Sequence, residues 1–289
     1  MLANSPRRRR LLGLLAIFCL LNCAYLIAHW LIPSLAFPVV VGLSTVIILV
    51  LMHRWFTNLN RRLDANSEWF RREMMKQQAM INLTPLLQGA FVPFGEWAME
   101  PVHMFDLLSH VQAAKVDVIV ECGSGTSTLM LGNLLRQKGK GRLYSLEEDM
   151  EWYQFMARHI QEQGLADWVT LVHAPLEPYK VNDDSTVEWY STARVNEVLA
   201  DVVQLDLLIV DGPKSASTLS RFPALPAFRS KITSTTLIVL DDVNRLHEQA
   251  VLAEWQKQYT LEIDYNLEAD RHQAYIRVIS TADQYLGNV

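Results

Sequence analysis

The stretch Val118-Ile-Val-Glu121-Cys-Gly123-Ser124-Gly125-Thr-Ser127-Thr128 is an apolar run that ends in an acid and a Gly-x-Gly turn, then opens into a helical pattern. Glycines at that junction permit tight curvature and close approach of a ligand, and the helix that follows offers free N–H groups to an anion or a polar cofactor. A purely structural turn would read the same way. A second acid, Glu147, closes the next apolar run, 22 residues past Gly125. A carboxylate there can accept both hydroxyls of a ribose. A dinucleotide loop wants a third glycine where Thr128 stands, which counts against NAD.

Three further carboxylates sit at the ends of apolar runs. Asp206-Leu-Leu-Ile-Val-Asp211-Gly-Pro ends in Asp211, and Leu237-Ile-Val-Leu-Asp241-Asp242 ends in an acidic pair. Carboxylates gathered at adjacent strand ends suit a hard, oxygen-seeking cation such as Mg²⁺, and without a cation they repel one another. The competing reading makes Asp241 or Asp242 the cap of the following helix. Lys214, three residues past Asp211, could serve as a base if desolvation or a neighbouring cation lowered its pKa; a solvated loop lysine is the plain alternative. His103, His159 and His173 show no metal-ligand spacing and read as packing or surface residues. No Gly-x4-Gly-Lys-Ser/Thr loop, Gly-x-Ser-x-Gly elbow or His-Glu-x-x-His occurs, which excludes phosphate-loop NTPases, α/β-hydrolases and zincins.

The elements that would position these residues alternate. Buried-strand patterns occur at Val116–Glu121, Arg142–Leu146, Val169–His173, Leu207–Val210 and Thr236–Leu240. Helical patterns fall at Pro101–Gln112, Ser127–Gln137, Met150–Gln163, Val195–Val203, Ser217–Phe228 and Arg245–Gln258. Thr260–Asn266 and Gln273–Ile279 suggest a closing antiparallel hairpin. The expected architecture is an α/β, Rossmann-like doubly wound sheet of about seven strands with the last antiparallel.

The loop Glu121–Ser127, Glu147, and Asp211-Gly212-Pro213 together resemble a class I S-adenosylmethionine-dependent methyltransferase over roughly residues 95–280. The resemblance implies that Glu121, Gly123, Ser124, Gly125 and Ser127 face the methionine part of the cofactor, with Asp211 beside them. It puts Glu147 on the ribose and Ala174, with Pro175, at the adenine. Asp211, Asp241 and Asp242 are also similar to the metal ligands of the metal-dependent branch to which catechol O-methyltransferase belongs, although that branch has Asn where Asp242 stands. In it, Lys214 matches a catalytic lysine and Asp211 belongs to the catalytic centre, while the segment Trp97, Met99, Glu100 and Pro101 matches part of a substrate lid. The implied activity is methyl transfer to an acceptor oxygen. A nicotinamide-dependent oxidoreductase and a non-catalytic scaffold on the same fold are the alternatives.

Composition places this domain beside a membrane. Residues 11–32 and 35–52 carry no formal charge, and helices of those lengths span roughly 33 and 27 Å. Arg7–Arg10 precede the first run and Arg54, Arg61 and Arg62 follow the second, so a two-helix transmembrane hairpin would leave both termini and the catalytic domain cytoplasmic. The expected organisation is an anchor over residues 1–53, a juxtamembrane helix and linker over 54–94, and the catalytic domain over 95–289. The juxtamembrane helix, with Trp55, Leu59, Leu63, Phe70 and Met74 recurring mostly every fourth residue, could join two copies of the chain. After residue 62 the chain holds 19 Lys and Arg against 31 Asp and Glu, which argues against a nucleic-acid partner. The anchor favours a small-molecule or lipid-linked acceptor at the membrane or in an envelope pathway.

Overall fold

The computed structural model describes residues 19–20, 22–23, 25–27, 29–30, 33–87, 95, 98–182, 185–214, 217–267 and 270–279. The chain divides into two units, one ending at Arg71 and one beginning at Arg72. Helix α1 runs from Pro33 to Leu87, 55 residues without interruption. Between Gly42 and Pro85 the sequence has neither glycine nor proline, so nothing in it breaks the helix. The second apolar run and the juxtamembrane segment are therefore one helix rather than two elements, and it ends at Leu87, inside the segment 54–94 expected to hold helix and linker.

In the first unit, apolar side chains face outward along α1. Val46, Leu49 and Met52 are exposed in the uncharged run, and Trp55, Phe56, Leu63, Trp69 and Phe70 are exposed beyond it. Among the described residues one helix is long and apolar enough to cross a membrane, Val41–Leu87, whose most apolar window has a mean hydropathy of 1.3 and no buried residue. The expected hairpin is thus reduced to one supported helix. Leu11–Phe18, most of the first arm's N-terminal half, lies outside the described residues, and the described positions between Cys19 and Trp30 are helical.

The second unit is a doubly wound α/β domain. After helix α2 (Pro101–Ala113), the strands and helices are β1 (Val118–Cys122), α3 (Thr126–Lys138), β2 (Arg142–Glu147), α4 (Met150–Glu162) and β3 (Val169–His173). They continue as β4 (Leu176–Asn182), β5 (Ser185–Tyr190), α5 (Thr192–Val198), β6 (Leu207–Val210), α6 (Ala224–Phe228), β7 (Leu237–Leu240), α7 (Leu246–Gln258), β8 (Leu261–Asn266) and β9 (Gln273–Val278). Seven strands form one sheet in the order β3-β2-β1-β6-β7-β9-β8. Pairing is parallel from β3 to β7, and β9 runs antiparallel to both β7 and β8. The order reverses between β1 and β6, which places the crevice of a doubly wound sheet beyond the carboxyl ends of those strands.

Alternation along each strand builds two cores. Ile119, Leu143, Leu207, Ile209 and Val239 pack with Leu107 of α2, Leu131 of α3 and Met156 of α4 on one face. Val120, Leu146, Leu208, Val210 and Leu240 pack with Phe222, Leu225 and Trp255 on the other. Both faces of a parallel sheet must be covered, and the near-continuous apolar strands are the consequence. Within this unit the last turns of α1 are part of the core, with Leu83 1 % exposed. They are latched by Asp270, which accepts from Arg72 Nη1 at 3.1 Å and Lys76 Nζ at 2.6 Å.

Three elements depart from expectation, the first being the helix expected at Val195–Val203, which falls at Thr192–Val198. Leu176–Tyr190 forms an antiparallel hairpin, β4–β5, separate from the main sheet, with Trp189 and Tyr190 buried in the core. The helix expected at Ser217–Phe228 is confined to Ala224–Phe228, because Pro223 disfavours helical backbone at Phe222 before it.

Candidate functional site

The expected site residues converge at the carboxyl ends of β1, β2, β3, β6 and β7. Cys122 ends β1 and Gly123 follows at φ +94, a left-handed conformation that a side chain resists. Gly123 also packs against the next turn: a Cβ built on it would lie 3.1 Å from Gly212 N. Gly212 reciprocates, its virtual Cβ falling 2.8 Å from Gly123 Cα and against the Tyr190 hydroxyl. The two glycines let the loop after β1 and the turn after β6 touch backbone to backbone.

Glu121 is fully buried and organises that loop. Thr128 Oγ1 donates to its Oε2 at 2.6 Å and Ser145 Oγ donates to the same atom at 2.7 Å, while Thr128 Oγ1 accepts the Gly125 N–H at 2.9 Å. Thr128, standing where a dinucleotide loop has glycine, therefore ties the start of α3 to Glu121. Burial pushes the Glu121 carboxyl up, opposed by hydrogen bonds from Ser127, Thr128 and Ser145. Gly125 caps α3, and Ser127 is buried in the first turn.

Glu147 ends β2 with 5 % of its surface exposed. Its Oε2 accepts from Ser124 Oγ at 2.6 Å and from Ser124 N at 3.2 Å, and Oε1 accepts from Asp149 N at 3.0 Å. Asp149 in turn caps α4 by accepting from Trp152 N, and Trp152 Nε1 donates to Ser124 O. Burial raises the Glu147 pKa, partly offset by the Ser124 hydrogen bond. Ala174, completely buried after β3, donates its N–H to Glu147 O. Ser124, Glu147 and Ala174 thus form one hydrogen-bonded rim.

Asp211, Asp241 and Asp242 each offer a carboxylate oxygen within 4.8 Å of the others. Asp242 has φ +63, a region Asp and Asn tolerate better than other side-chain-bearing residues, which explains why a short polar side chain occupies this turn. Neither Asp241 nor Asp242 caps α7, whose N-cap is Arg245. The capping alternative is therefore set aside. Asp241 is 1 % exposed, and neither of its carboxylate oxygens has a hydrogen-bond partner. Burial and the neighbouring Asp242 raise its pKa to about 6, and burial with Asp241 raises that of Asp211.

The cluster has a counterion that sequence reasoning did not single out. Arg221, 4 % exposed, donates from Nη2 to Asp211 O at 2.6 Å and from Nη1 to Asp241 O at 3.3 Å. The same guanidinium lies 3.4 Å from Asp211 Oδ1, 3.7 Å from Asp242 Oδ2 and 3.5 Å from Glu248 Oε1. Arg245 Nη1 reaches Asp242 Oδ2 at 2.7 Å, and Arg271 Nε stands 3.8 Å from Asp242 Oδ1. A signal was present: Arg221 is the one basic residue between Lys214 and Arg229, close in sequence to a row of strand-end acids. Lys214 is exposed, and its main-chain N–H donates to Glu148 Oε1 at 3.1 Å.

The residues present fit a divalent cation. Both Asp241 oxygens and Asp242 Oδ1 are buried without a hydrogen bond, and Arg221 makes its two shortest contacts with the main-chain carbonyls of Asp211 and Asp241 rather than with those oxygens. Buried carboxylate oxygens left unpaired are costly, and a hard cation satisfies them. Nearby, a cavity of about 640 Å³ is lined by Met80, Ile81, Met99, Pro101 and Arg271. Trp97 lies outside the described residues.

Comparison with known proteins agrees with this architecture. Residues 120–243 match the profile of a family described as "Methyltransferase domain". The fold is similar to that of a Podospora anserina methyltransferase solved with SAH bound, at 14 % identity and a TM-score of 0.50, over 70 % of this chain and 88 % of that one. Also similar are a Geobacter metallireducens precorrin-6y C5,15-methyltransferase (15 % identity, TM-score 0.45, 66 % and 94 % covered) and a Thermotoga maritima SAM-dependent O-methyltransferase (13 %, 0.42, 63 % and 67 %). No curated protein matches the chain. The family match covers less than half of the chain, and the seven-stranded sheet has the Rossmann-like fold of the Podospora methyltransferase.

Proposed function

We propose that this chain is a membrane-anchored S-adenosylmethionine-dependent methyltransferase acting on an oxygen of a membrane-associated or envelope-precursor acceptor. The observation that carries the reading is the convergence of Gly123–Gly125, Glu147 and the Asp211–Asp241–Asp242 cluster on one end of one sheet. The sulfonium cofactor supplies an already activated methyl group, so the protein has to align the acceptor and remove its proton. Gly123, Ser124, Gly125 and Ser127 would cradle the methionine portion, Glu147 would take the ribose hydroxyls in exchange for Ser124, and Ala174 would border the adenine.

Asp211, Asp241 and Asp242 would hold Mg²⁺, which when bound lowers the pKa of a coordinated acceptor hydroxyl. Lys214, on the loop after Asp211, would receive the acceptor proton, and the cavity beside Arg271 would admit the acceptor. The uncharged part of α1 supports the anchor, and the arginines flanking residues 11–52 support a cytoplasmic catalytic domain with both termini on the same side. The exposed stripe through Phe56, Leu63 and Phe70 supports pairing of two copies along α1.

Calorimetric titration of the full chain in detergent micelles tests the reading. S-adenosylmethionine should bind with micromolar affinity and NADH should not, and Glu147→Ala should weaken the former at least tenfold. A folded chain that binds neither ligand refutes the enzyme assignment. For the anchor, the chain should stay with membranes after carbonate washing; release into the supernatant refutes it.

A further inference from the structure

Two completely buried polar side chains face the Asp241 carboxylate from separate elements. His103, in the first turn of α2, is 0 % exposed, and neither ring nitrogen has a hydrogen-bond partner. Its Nδ1 lies 3.9 Å from Asp241 Oδ1, too long for a hydrogen bond and well within reach of one after a small shift. Gln273, also 0 % exposed, opens β9 one residue before the Leu240↔Ala274 pair, so the antiparallel register sets it across from Asp241. Its Oε1 accepts from the Tyr275 hydroxyl at 3.3 Å, which leaves the amide Nε2 as the unpartnered donor.

A buried histidine with no partner is hard to account for as packing. Leucine would fill the same volume without the cost of stripping water from two ring nitrogens, and the same holds for the Gln273 amide. His103 Nδ1, 3.9 Å away, and Gln273, opposite in register, thus converge on Asp241, the one carboxylate in the cluster with neither oxygen in a formed hydrogen bond. An imidazole carries at least one N–H in either protonation state, so His103 has a donor to offer. Ligand carboxylates in metal centres are held by such outer hydrogen-bond donors, and losing one typically costs 10- to 100-fold in metal affinity.

We infer that His103 and Gln273 are positioning residues for Asp241, donating to its carboxylate so that it presents an oxygen to a divalent cation shared with Asp211 and Asp242. The inference rests on the metal reading above and extends it to two residues on different elements of the fold.

The test uses the full chain in detergent, with Mn²⁺ as the probe, free ion followed by electron paramagnetic resonance and S-adenosylmethionine affinity measured in parallel. His103→Leu should weaken Mn²⁺ binding 10- to 100-fold, leave cofactor affinity within threefold, and not lower the thermal midpoint. His103→Asn, which restores an N–H donor, should recover part of the Mn²⁺ affinity, and Gln273→Met should weaken it at least fivefold. If wild type binds no Mn²⁺, the metal reading fails and this inference with it. If wild type binds and His103→Leu binds equally well, the inference alone fails. Equal loss of Mn²⁺ and cofactor binding in His103→Leu also overturns it, because that pattern marks a structural role. Should His103→Leu not fold, His103→Asn and Gln273→Met decide the matter by the same comparison.

Discussion

Arg221→Met removes the guanidinium around which the acid cluster is arranged and retains most of its aliphatic bulk. It deletes hydrogen bonds to the carbonyls of Asp211 and Asp241 and the ion pairs to Asp211, Asp242 and Glu248. With Asp242 and Glu248 each 2 % exposed, water cannot replace the lost charge. Breaking one side of a buried ion pair costs about 3–5 kcal/mol. For a domain of this size about 1 kcal/mol moves the midpoint by roughly 2–4 °C, so the variant should melt about 6–20 °C lower at pH 7.5 in chelator. The remaining carboxylates escape their repulsion by binding protons, so the deficit should shrink at pH 5.5, and millimolar Mg²⁺ should also reduce it. Tryptophan fluorescence during heating of the micellar protein reads all three conditions. A deficit below about 2 °C at pH 7.5, or one unchanged by pH, would show that Arg221 is not the counterion of the cluster. Lysine at this position keeps the charge and loses the two-pronged contact, so Arg221→Lys should fall between wild type and Arg221→Met.

Other measurements bear on the same geometry. Asp241 is more basic folded than unfolded, with a pKa of about 6 against 3.8, so its protonated form contributes stability that is full below about pH 4 and lost as pH rises through 6. Asp211, Glu121 and Glu147 shift the same way, so the cation-free chain should melt lower at pH 7.5 than at pH 6, and less so in Asp241→Asn. His103, with its pKa lowered, opposes this trend below pH 6.5. Gly212→Ala places a methyl group 2.8–2.9 Å from the Gly123 backbone, which cannot yield as a flexible side chain would, and should weaken S-adenosylmethionine binding more than tenfold by calorimetry while the domain stays folded. Asp270→Asn loosens a half-exposed latch, costs at most about 1 kcal/mol, and should speed hydrogen exchange over the last turns of α1 without altering cofactor affinity.

How far the sequence reveals this molecule depends on how its residues carry their signal. Strands β1, β6 and β7 are legible because a buried parallel strand must be apolar on both faces, and runs such as Leu207–Val210 have no other plausible use. The acids at their ends are legible for the complementary reason, since a charge ending an apolar run needs a task. The hairpin β4–β5 is not legible: Pro178 and the exposed Glu177 and Lys180 give β4 the look of a loop, and only pairing with β5 makes it a strand. His103 and Arg221 sit in helical or turn surroundings with ordinary spacing. Their importance comes from strand ends brought to them by the topology; for Arg221 its isolation among uncharged residues between Lys214 and Arg229 is the one local hint, and for His103 there is none. The continuity of α1 is hidden differently, because the change from apolar to charged residues near Arg54 alters the composition of the helix without ending it.

Cys122 ends the strand that leads into the Gly123–Gly125 loop and is completely buried, and its burial beside Glu121 keeps the thiol strongly protonated. The other two cysteines, Cys19 and Cys23, are exposed and lie far from it in sequence. In a Cys19→Ser/Cys23→Ser background the chain therefore contains its own clock. A thiol reagent can reach Cys122 only when the cradle after β1 opens, so the labelling rate counts those openings, and any ligand that settles on Gly123–Gly125 should slow the count in proportion to its occupancy.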